Sequence, residues 1–281
     1  MTTCPACSGR DWIEWREVED RFSSTSRYQI ERCAVCGLGR TVGSDDGAQA
    51  TAYAAAFERP STGPVGTARR LYRWWLLRPR VSAVASAVGS GRILDVGCGT
   101  GELAAALTQA GFEVEGVEPE EDAAERARFR GVNVFGRSIE ELPQEPRYDG
   151  VVMWHVIEHL PDPLSTLQLL KKRLAPGGVV VAAAPNVDSF DCSVWKKLWT
   201  HWDVPRHRWH FGRRSIRLLA GRAGFDVVVH RGTTQETWAG AVASTRRCFG
   251  ASFHSLWRLL VLPFSFLGRA PGQLVVLKAR T

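Results

Sequence analysis

The sequence predicts an α/β protein, a doubly wound and mostly parallel seven-stranded sheet, preceded by a small N-terminal zinc ribbon. Three observations carry this reading. From Arg92 onward, short β-branched runs alternate with helical stretches, the rhythm of a parallel sheet covered on both faces. A buried strand runs into a glycine turn at Ile93 to Gly101, and two C-x-x-C pairs stand near the start of the chain. At 281 residues the chain accommodates one α/β domain and an accessory module. With 44% hydrophobic and 23% charged residues, a disordered or fibrous chain is excluded.

Residues 1–40 hold the first module. Cys4 and Cys7, then Cys33 and Cys36, form two knuckles around an alternating stretch that includes Tyr28, Ile30 and Glu31, the pattern of short antiparallel strands. Four thiols so paired suit tetrahedral zinc, and a site closed by four thiolates serves folding or recognition rather than chemistry. The other three of the seven cysteines, Cys98, Cys192 and Cys248, are isolated. No basic stretch with an apolar run marks an export signal, so the expected compartment is the cytoplasm, where thiols stay reduced.

Residues 41–90 read as a linker and N-terminal helices. Thr41 to Gly66 is rich in small residues, with a short helical piece at Tyr53 to Phe57; Arg69 to Val88 has apolar residues at helical spacing, divided by Pro79 and ended by Gly89-Ser90-Gly91. The third region, 91–281, carries the strands: Ile93 to Val96, Glu113 to Val117, Val132 to Phe135, Gly150 to Trp154, Val179 to Ala182, Phe225 to Val229 and Leu274 to Leu277. Insertions are expected at 187–212 and 231–272.

The glycine turn carries the most specific chemistry. Asp95 ends a strand, and Gly97, Cys98, Gly99 and Gly101 follow before a helix starting near Glu102. Glycine is required where backbone turns tightly and approaches a ligand without a Cβ in the way. A dinucleotide site favours G-x-G-x-x-G with diphosphate at the helix N-terminus; G-x-G-x-G behind an aspartate points to a cationic nucleoside without phosphate. Glu118, at the end of the next strand, stands where a carboxylate accepts hydrogen bonds from both ribose hydroxyls.

These residues, LDVGCGTG at Leu94 to Gly101 and Glu118-Pro119, together with YDGVVMWHVIEHLPDP at Tyr148 to Pro163 and LAPGGVVVAAAPN at Leu174 to Asn186, resemble the class I S-adenosylmethionine-dependent methyltransferases from about Arg92 to the C-terminus. The resemblance implies a Rossmann-like fold, with Asp95 and the glycine loop beside the methionine part of S-adenosylmethionine and Glu118 and Pro119 at the ribose. Ser138-Ile139 stands at the adenine contact, where the family usually has an acidic-apolar pair. Trp154 and His155 would line the pocket beside the sulfonium.

Two constellations compete for attention. His155-x-x-Glu158-His159 matches the H-x-x-E-H pattern of inverted zinc peptidases, but Leu160-Pro161-Asp162-Pro163 leaves no helix to set both histidines on one face, so catalytic zinc is rejected. The run Val194 to Phe211, dense in Trp, His and Arg, follows the C-terminal end of a strand, where open α/β sheets place ligands, and is read as a substrate-facing loop in preference to an aromatic cap. Its His207 is the first candidate general base and His210 the second, with His155 beside the cofactor as a third. Cys192 reads as a small buried thiol.

The expected activity is methyl transfer from S-adenosylmethionine to a small molecule, glycan or lipid-linked acceptor, with O-methylation favoured. A net charge of +7, mostly arginine, keeps a zinc-ribbon RNA methyltransferase as the alternative, and a non-catalytic S-adenosylmethionine binder as the third. The apolar run Phe253 to Leu267 is too short to span a bilayer and reads as a lid or dimer surface, with peripheral contact at the inner face of the membrane as the other option. The acceptor and the oligomeric state stay open at this point.

Overall fold

The structure, a computed structural model, describes residues 3–21, 26–44, 77–143, 145, 147–233 and 269–280. The expectations for Tyr53 to Phe57, the first part of Arg69 to Val88, Cys248, the run Phe253 to Leu267 and most of the 231–272 insertion lie outside these residues. The elements in chain order are β1 (Trp12–Glu19), β2 (Arg27–Cys33), β3 (Gly39–Thr41), helix α1 at 77–88, β4 (Arg92–Val96), α2 (Glu102–Gln109), β5 (Glu113–Val117), α3 (Glu121–Phe129), β6 (Asn133–Gly136), β7 (Tyr148–Trp154), α4 (Pro163–Arg173), β8 (Leu174–Pro185), α5 (Phe190–Trp195), β9 (Trp209–His210), α6 (Arg213–Arg222), β10 (Phe225–Thr233) and β11 (Gly272–Ala279). Among them no helix is long and apolar enough to cross a membrane.

A seven-stranded sheet has the order β10-β11-β8-β7-β4-β5-β6. Strands β4/β5, β4/β7 and β5/β6 pair in parallel, and β10/β11 close the far edge antiparallel. Ile93, Leu94, Asp95 and Val96 are all buried, as a strand covered on both faces demands, which is why the run reads as continuous rather than alternating. Chain order runs outward from β4 through β5 to β6 and then returns to β7 on the other side of β4, so the order reverses between β4 and β7. Open α/β sheets bind ligands at such a point, beyond the carboxyl ends of the strands. The largest departure from the expected strand bounds is β8, which begins at Leu174 because Gly177 (φ 84°) and Gly178 let an Ala-Pro-Gly-Gly stretch enter the strand.

The chain divides into two compact units, one of Met1–Asp46, His155–Gln168 and Ala182–Thr281, the other of Gly47–Trp154 and Leu169–Val181. Within the first, β1, β2, β3 and β9 form one antiparallel sheet, so the two-residue strand Trp209–His210 completes the N-terminal ribbon. Gly39 makes this possible: a Cβ there would lie 2.9 Å from the Cβ of His210, its partner in register.

The aromatic segment does the work of a core. Val18 and Ile30 of the ribbon cluster with Val187, Cys192, Trp195, Trp199, Trp202 and Val204, and Trp15 meets Trp202 edge to face at 5.1 Å. Two of the buried indole N–H groups are satisfied locally, Trp199 Nε1 donating to Asp191 (2.8 Å) and Trp202 Nε1 to the Lys196 carbonyl (2.6 Å). The reading of Val194 to Phe211 as a substrate-facing loop is therefore corrected for Trp199 and Trp202, which are 1% and 0% exposed. A ribbon of some forty residues has too little apolar surface to close its own core, and these tryptophans supply it. Charge reinforces the join: Arg206 is buried between Asp203 (2.6 Å) and Asp20 of the ribbon (2.9 Å), and Arg21 reaches Asp203 at 2.9 Å.

Candidate functional site

At the end of β4, Gly97, Gly99 and Gly101 all adopt left-handed backbone (φ 65°, 55° and 77°). The turn is pinned to the neighbouring strand by Gly97 N–H and Cys98 N–H, both donating to the Val117 carbonyl (2.8 and 3.1 Å). The glycines differ in what surrounds them. A Cβ on Gly101 would meet Cβ and Cα of Ala127 on α3 at 2.8 and 2.9 Å, whereas a Cβ on Gly99 would enter open space. Gly101 thus serves packing and Gly99 keeps backbone accessible. Gly101→Ala should destabilise the protein by about 2–5 kcal/mol, left-handed strain plus an overpacked contact; Gly99→Ala should cost only the strain, about 1–2 kcal/mol. Urea denaturation of the two variants checks this ordering.

Glu118 follows β5, and its carboxylate bridges two loops: Oε2 accepts from Gly99 N–H (2.8 Å) and Oε1 from Glu120 N–H (3.0 Å). Burial raises its pKa, against those two hydrogen bonds. Asp95 is 2% exposed, and its Oδ2 has no hydrogen-bond partner among the described residues. Desolvation first, and the nearby Glu118 charge second, push it up to about 7. A buried carboxylate without a donor costs free energy unless something outside the chain compensates it. Trp154, at the end of β7, likewise buries an Nε1–H without a partner among the described residues, and the Arg80 guanidinium lies 5.1 Å from its ring centroid. Cys98 is buried, and desolvation raises its thiol well above the ordinary range. Arg137 Nε donates to the Pro119 carbonyl (3.1 Å), Ser138 precedes a short 3-10 turn, and Ile139 is buried.

The histidines fall in the other unit and differ sharply. His155 has left-handed backbone (φ 58°), its N–H donates to the Ala183 carbonyl (2.9 Å), and Nδ1 lies 3.0 Å from Glu158 Oε1; its side chain is 28% exposed. His207 and His210 are buried. Thr41 Oγ1 donates to the His207 carbonyl (2.7 Å) and so accepts from His210 Nε2 (2.9 Å), which ties β9 to β3. Desolvation lowers His210 to about 3 and takes His207 well below the ordinary histidine value. The His210 ring, enclosed and bonded to Thr41 of the ribbon, ties the two segments together, the His207 ring bonds to the His201 carbonyl (2.8 Å), and among the three nominated bases only His155 keeps exposure. Cys192 is buried with its pKa raised by desolvation, an inert thiol.

Glu158 belongs to the H-x-x-E-H run that follows β7. It is 1% exposed, and although desolvation works to raise its pKa, the hydrogen bond with His155 outweighs it and the pKa is lowered. Its backbone carbonyl also accepts from Arg208 N–H (2.9 Å) and Trp209 N–H (3.0 Å), an association across distant sequence that no local pattern announces. The same holds for Arg206, Asp20 and Thr41, whose roles were not legible in any motif.

At the N-terminus the four knuckle cysteines converge, one Sγ from each lying within 4.8 Å of the others, with Cys4 to Cys36 and Cys7 to Cys33 each 3.5 Å apart. Ser8 (φ 62°) and Gly37 (φ 78°) make the left-handed turns that bring each pair round. The Cys36 contact, opposed by desolvation, pulls the Cys4 thiol down and pushes Cys36 up, so the two sulfurs are close enough to compete for charge.

Residues 66–230, more than half of the chain, match the family model described as a methyltransferase domain. A ubiquinone biosynthesis O-methyltransferase of Alkalilimnicola ehrlichii is 38% identical over 118 residues, which cover 38% of this chain and 48% of that protein. The chain thus spans about half the length of that curated relative. Among solved structures, a SAM-dependent methyltransferase from Archaeoglobus fulgidus superposes with a TM-score of 0.53 at 20% identity, covering 73% of this chain and 94% of the other. Magnesium protoporphyrin IX methyltransferase from Synechocystis PCC 6803, solved with bound SAH, gives 0.52 at 15% identity, covering 82% and 93%. With the strand order, the glycine turn and the family match in agreement, the chain belongs to the methyltransferase domain family and has the Rossmann-like fold of class I S-adenosylmethionine-dependent methyltransferases.

Proposed function

We propose that this protein transfers a methyl group from S-adenosylmethionine to a hydroxyl of a small molecule, glycan or lipid-linked acceptor. The observation that carries the reading is the pair of carboxylates at the switch point. Asp95 presents a buried oxygen without a donor, and Glu118 stands at the end of the adjoining strand. A cationic nucleoside supplies the positive charge that Asp95 lacks, and its ribose hydroxyls suit the lone pairs that Glu118 keeps beside its two backbone hydrogen bonds. Gly99 leaves room for the ligand against the backbone, and Cys98, Pro119, Ser138, Ile139 and Trp154 are assigned to the rest of its pocket. Calorimetry should find S-adenosylmethionine binding that Asp95→Ala and Glu118→Ala both weaken; unchanged affinity in both variants would sink the assignment.

The bound donor contributes an electrophilic methyl carbon on sulfur. The chain's tasks are to orient the acceptor in line with that carbon, exclude water, and take the hydroxyl proton. His155 suits the last task. Its Nδ1–H donates to the ionised Glu158, which fixes the tautomer and leaves Nε2 as the basic atom on a partly exposed ring. Held by Asp95, Glu118 and the glycine turn, S-adenosylmethionine would supply the methyl group, and His155 Nε2 would take the proton that the acceptor hydroxyl gives up. His155→Gln should lower kcat about a hundredfold while the Kd for S-adenosylmethionine stays within about twofold. A fall in affinity with kcat preserved would reassign His155 to binding. The hydroxyl preference draws support from the curated relatives, whose name specifies O-methylation.

The four-thiol cluster is proposed as a structural zinc site. Closed by four sulfurs, it leaves no position for water or substrate, so its contribution is to hold residues 1–40 in shape.

A further inference from the structure

The loop after β7 and the segment before β9 converge on a second constellation, separate from the four cysteines. Glu158, His159 and His207 each offer a ligand atom within 4.8 Å of the other two. The H-x-x-E-H motif drew notice for its two histidines, yet the structure assembles a different set: His155 turns to one side of Glu158, and His207, from a segment almost fifty residues later, takes the second imidazole position.

Hydrogen bonding has already assigned the rings. His159 Nδ1 lies 2.9 Å from the Arg206 carbonyl and His207 Nδ1 lies 2.8 Å from the His201 carbonyl. A carbonyl only accepts, so both rings carry the proton on Nδ1 and keep a lone pair on Nε2. Metal-binding histidines are held this way, one nitrogen donating to a carbonyl so that the other is fixed as ligand. The carboxylate is prepared as well. Glu158 Oε1 faces His155, while Oε2 is buried without a partner among the described residues. Asp203 Oδ2 lies 3.8 Å from His207 Nε2, but its carboxylate is compensated through Oδ1 by Arg206 and Arg21, so the uncompensated oxygen is that of Glu158. Lone pairs and carboxylates crowded into a dry space repel one another unless a cation lies between them.

We propose that Glu158, His159 and His207 form a second metal site, holding a borderline divalent cation of zinc's class through one carboxylate oxygen and two imidazole Nε2 atoms. Imidazole with carboxylate suits zinc, cobalt and nickel rather than calcium or magnesium. Three ligands leave a fourth position of a tetrahedral site for water or another oxygen. The cation ties residues 206–210 to the loop that starts at His155, reinforcing the bonds from Arg208 and Trp209 N–H to the Glu158 carbonyl. This assignment does not depend on the nature of the transferred group or the acceptor.

Cobalt separates the two sites by their ligands, because thiolates give intense charge-transfer absorption in the near ultraviolet whereas nitrogen and oxygen ligands give only weak visible bands. The full-length protein, stripped of metal under reducing conditions and titrated with cobalt, should take up a thiolate-bound equivalent and a second one that adds visible absorption without charge transfer. Glu158→Gln and His207→Ala should each abolish the second equivalent while keeping the first, which reports that the ribbon is folded; His155→Gln should keep both. Wild-type protein that binds only the thiolate equivalent overturns the site, as does a second equivalent that survives Glu158→Gln. If His207→Ala disturbs folding, the thiolate band shows it, and the isosteric Glu158→Gln decides.

Discussion

Removing the zinc proposed for the cysteine cluster should unfold the ribbon and release the tryptophan core with it. The sequence Cys4, Cys7, Cys33, Cys36 sits on two short turns, and the strands between them bury few residues of their own: Val18 and Ile30 find their core only with Trp199, Trp202 and their neighbours. Binding of structural zinc contributes about 10–16 kcal/mol to the folding of zinc-finger peptides near neutral pH, far more than a four-stranded sheet of this size gains by itself. Cys33→Ser, or prolonged treatment with a strong chelator, should therefore raise tryptophan exposure and broaden or split the thermal transition. Tryptophan fluorescence and limited proteolysis of residues 1–44 report the change. A sharp transition at the wild-type temperature after verified zinc loss would show that the tryptophans hold the ribbon unaided.

Asp95→Asn should weaken S-adenosylmethionine binding strongly and at the same time stabilise the ligand-free protein at alkaline pH. Truncating one partner of a buried charge pair costs about 2–5 kcal/mol, on the order of thirtyfold to several thousandfold in Kd. The stability effect has the opposite sign. Burial raises the Asp95 pKa to about 7 from 3.8, so the folded state binds the proton more tightly than the unfolded chain. The wild-type protein loses stability as pH rises from about 4 to 7, the window between the two values, and the loss is complete above the folded pKa. A shift of about three units corresponds to roughly 4 kcal/mol. An asparagine amide left short of partners returns about 1–3 kcal/mol of that gain. A net rise of about 1–3 kcal/mol at pH 8 is expected, shrinking to nothing or reversing near pH 4. Differential scanning calorimetry at both pH values, with calorimetric titration of the cofactor, tests the two halves separately. A variant destabilised at pH 8 would show that Asp95 is hydrogen-bonded in the free protein. For the wild type, cofactor affinity should fall as pH drops below about 7, because protonation removes the charge that attracts the ligand.

How much of this was legible in sequence depends on the range of the interactions involved. The glycine turn and both carboxylates are local: Asp95, Gly97, Gly99, Gly101 and Glu118 lie at strand ends, where β-branched runs and left-handed turns leave a direct signature. Their spacing alone led to a phosphate-free nucleoside. Even there, the division of labour between Gly99 and Gly101 depended on Ala127, which no turn motif contains. The substrate-facing reading of Val194 to Phe211 failed for a related reason. Position after a strand end is a rule about the parent sheet, and it carries no information that a ribbon far upstream in the chain would claim the same tryptophans.

The amino-acid sequence determined the sheet rhythm, the glycine turn with its two carboxylates and the four-thiol cluster, because periodicity, glycine geometry and cysteine spacing act over a few residues. Tertiary structure decided which histidine stays exposed. His155, His207 and His210 are equivalent as residue types, yet Trp202 and Thr41 enclose His210, His159 and the His201 carbonyl enclose His207, and His155 stays partly exposed. Tertiary structure also brought His207 to Glu158 and His159. Desolvation and hydrogen-bond partners set the state of an imidazole, and both are properties of the space around it, assembled from segments that the chain keeps far apart.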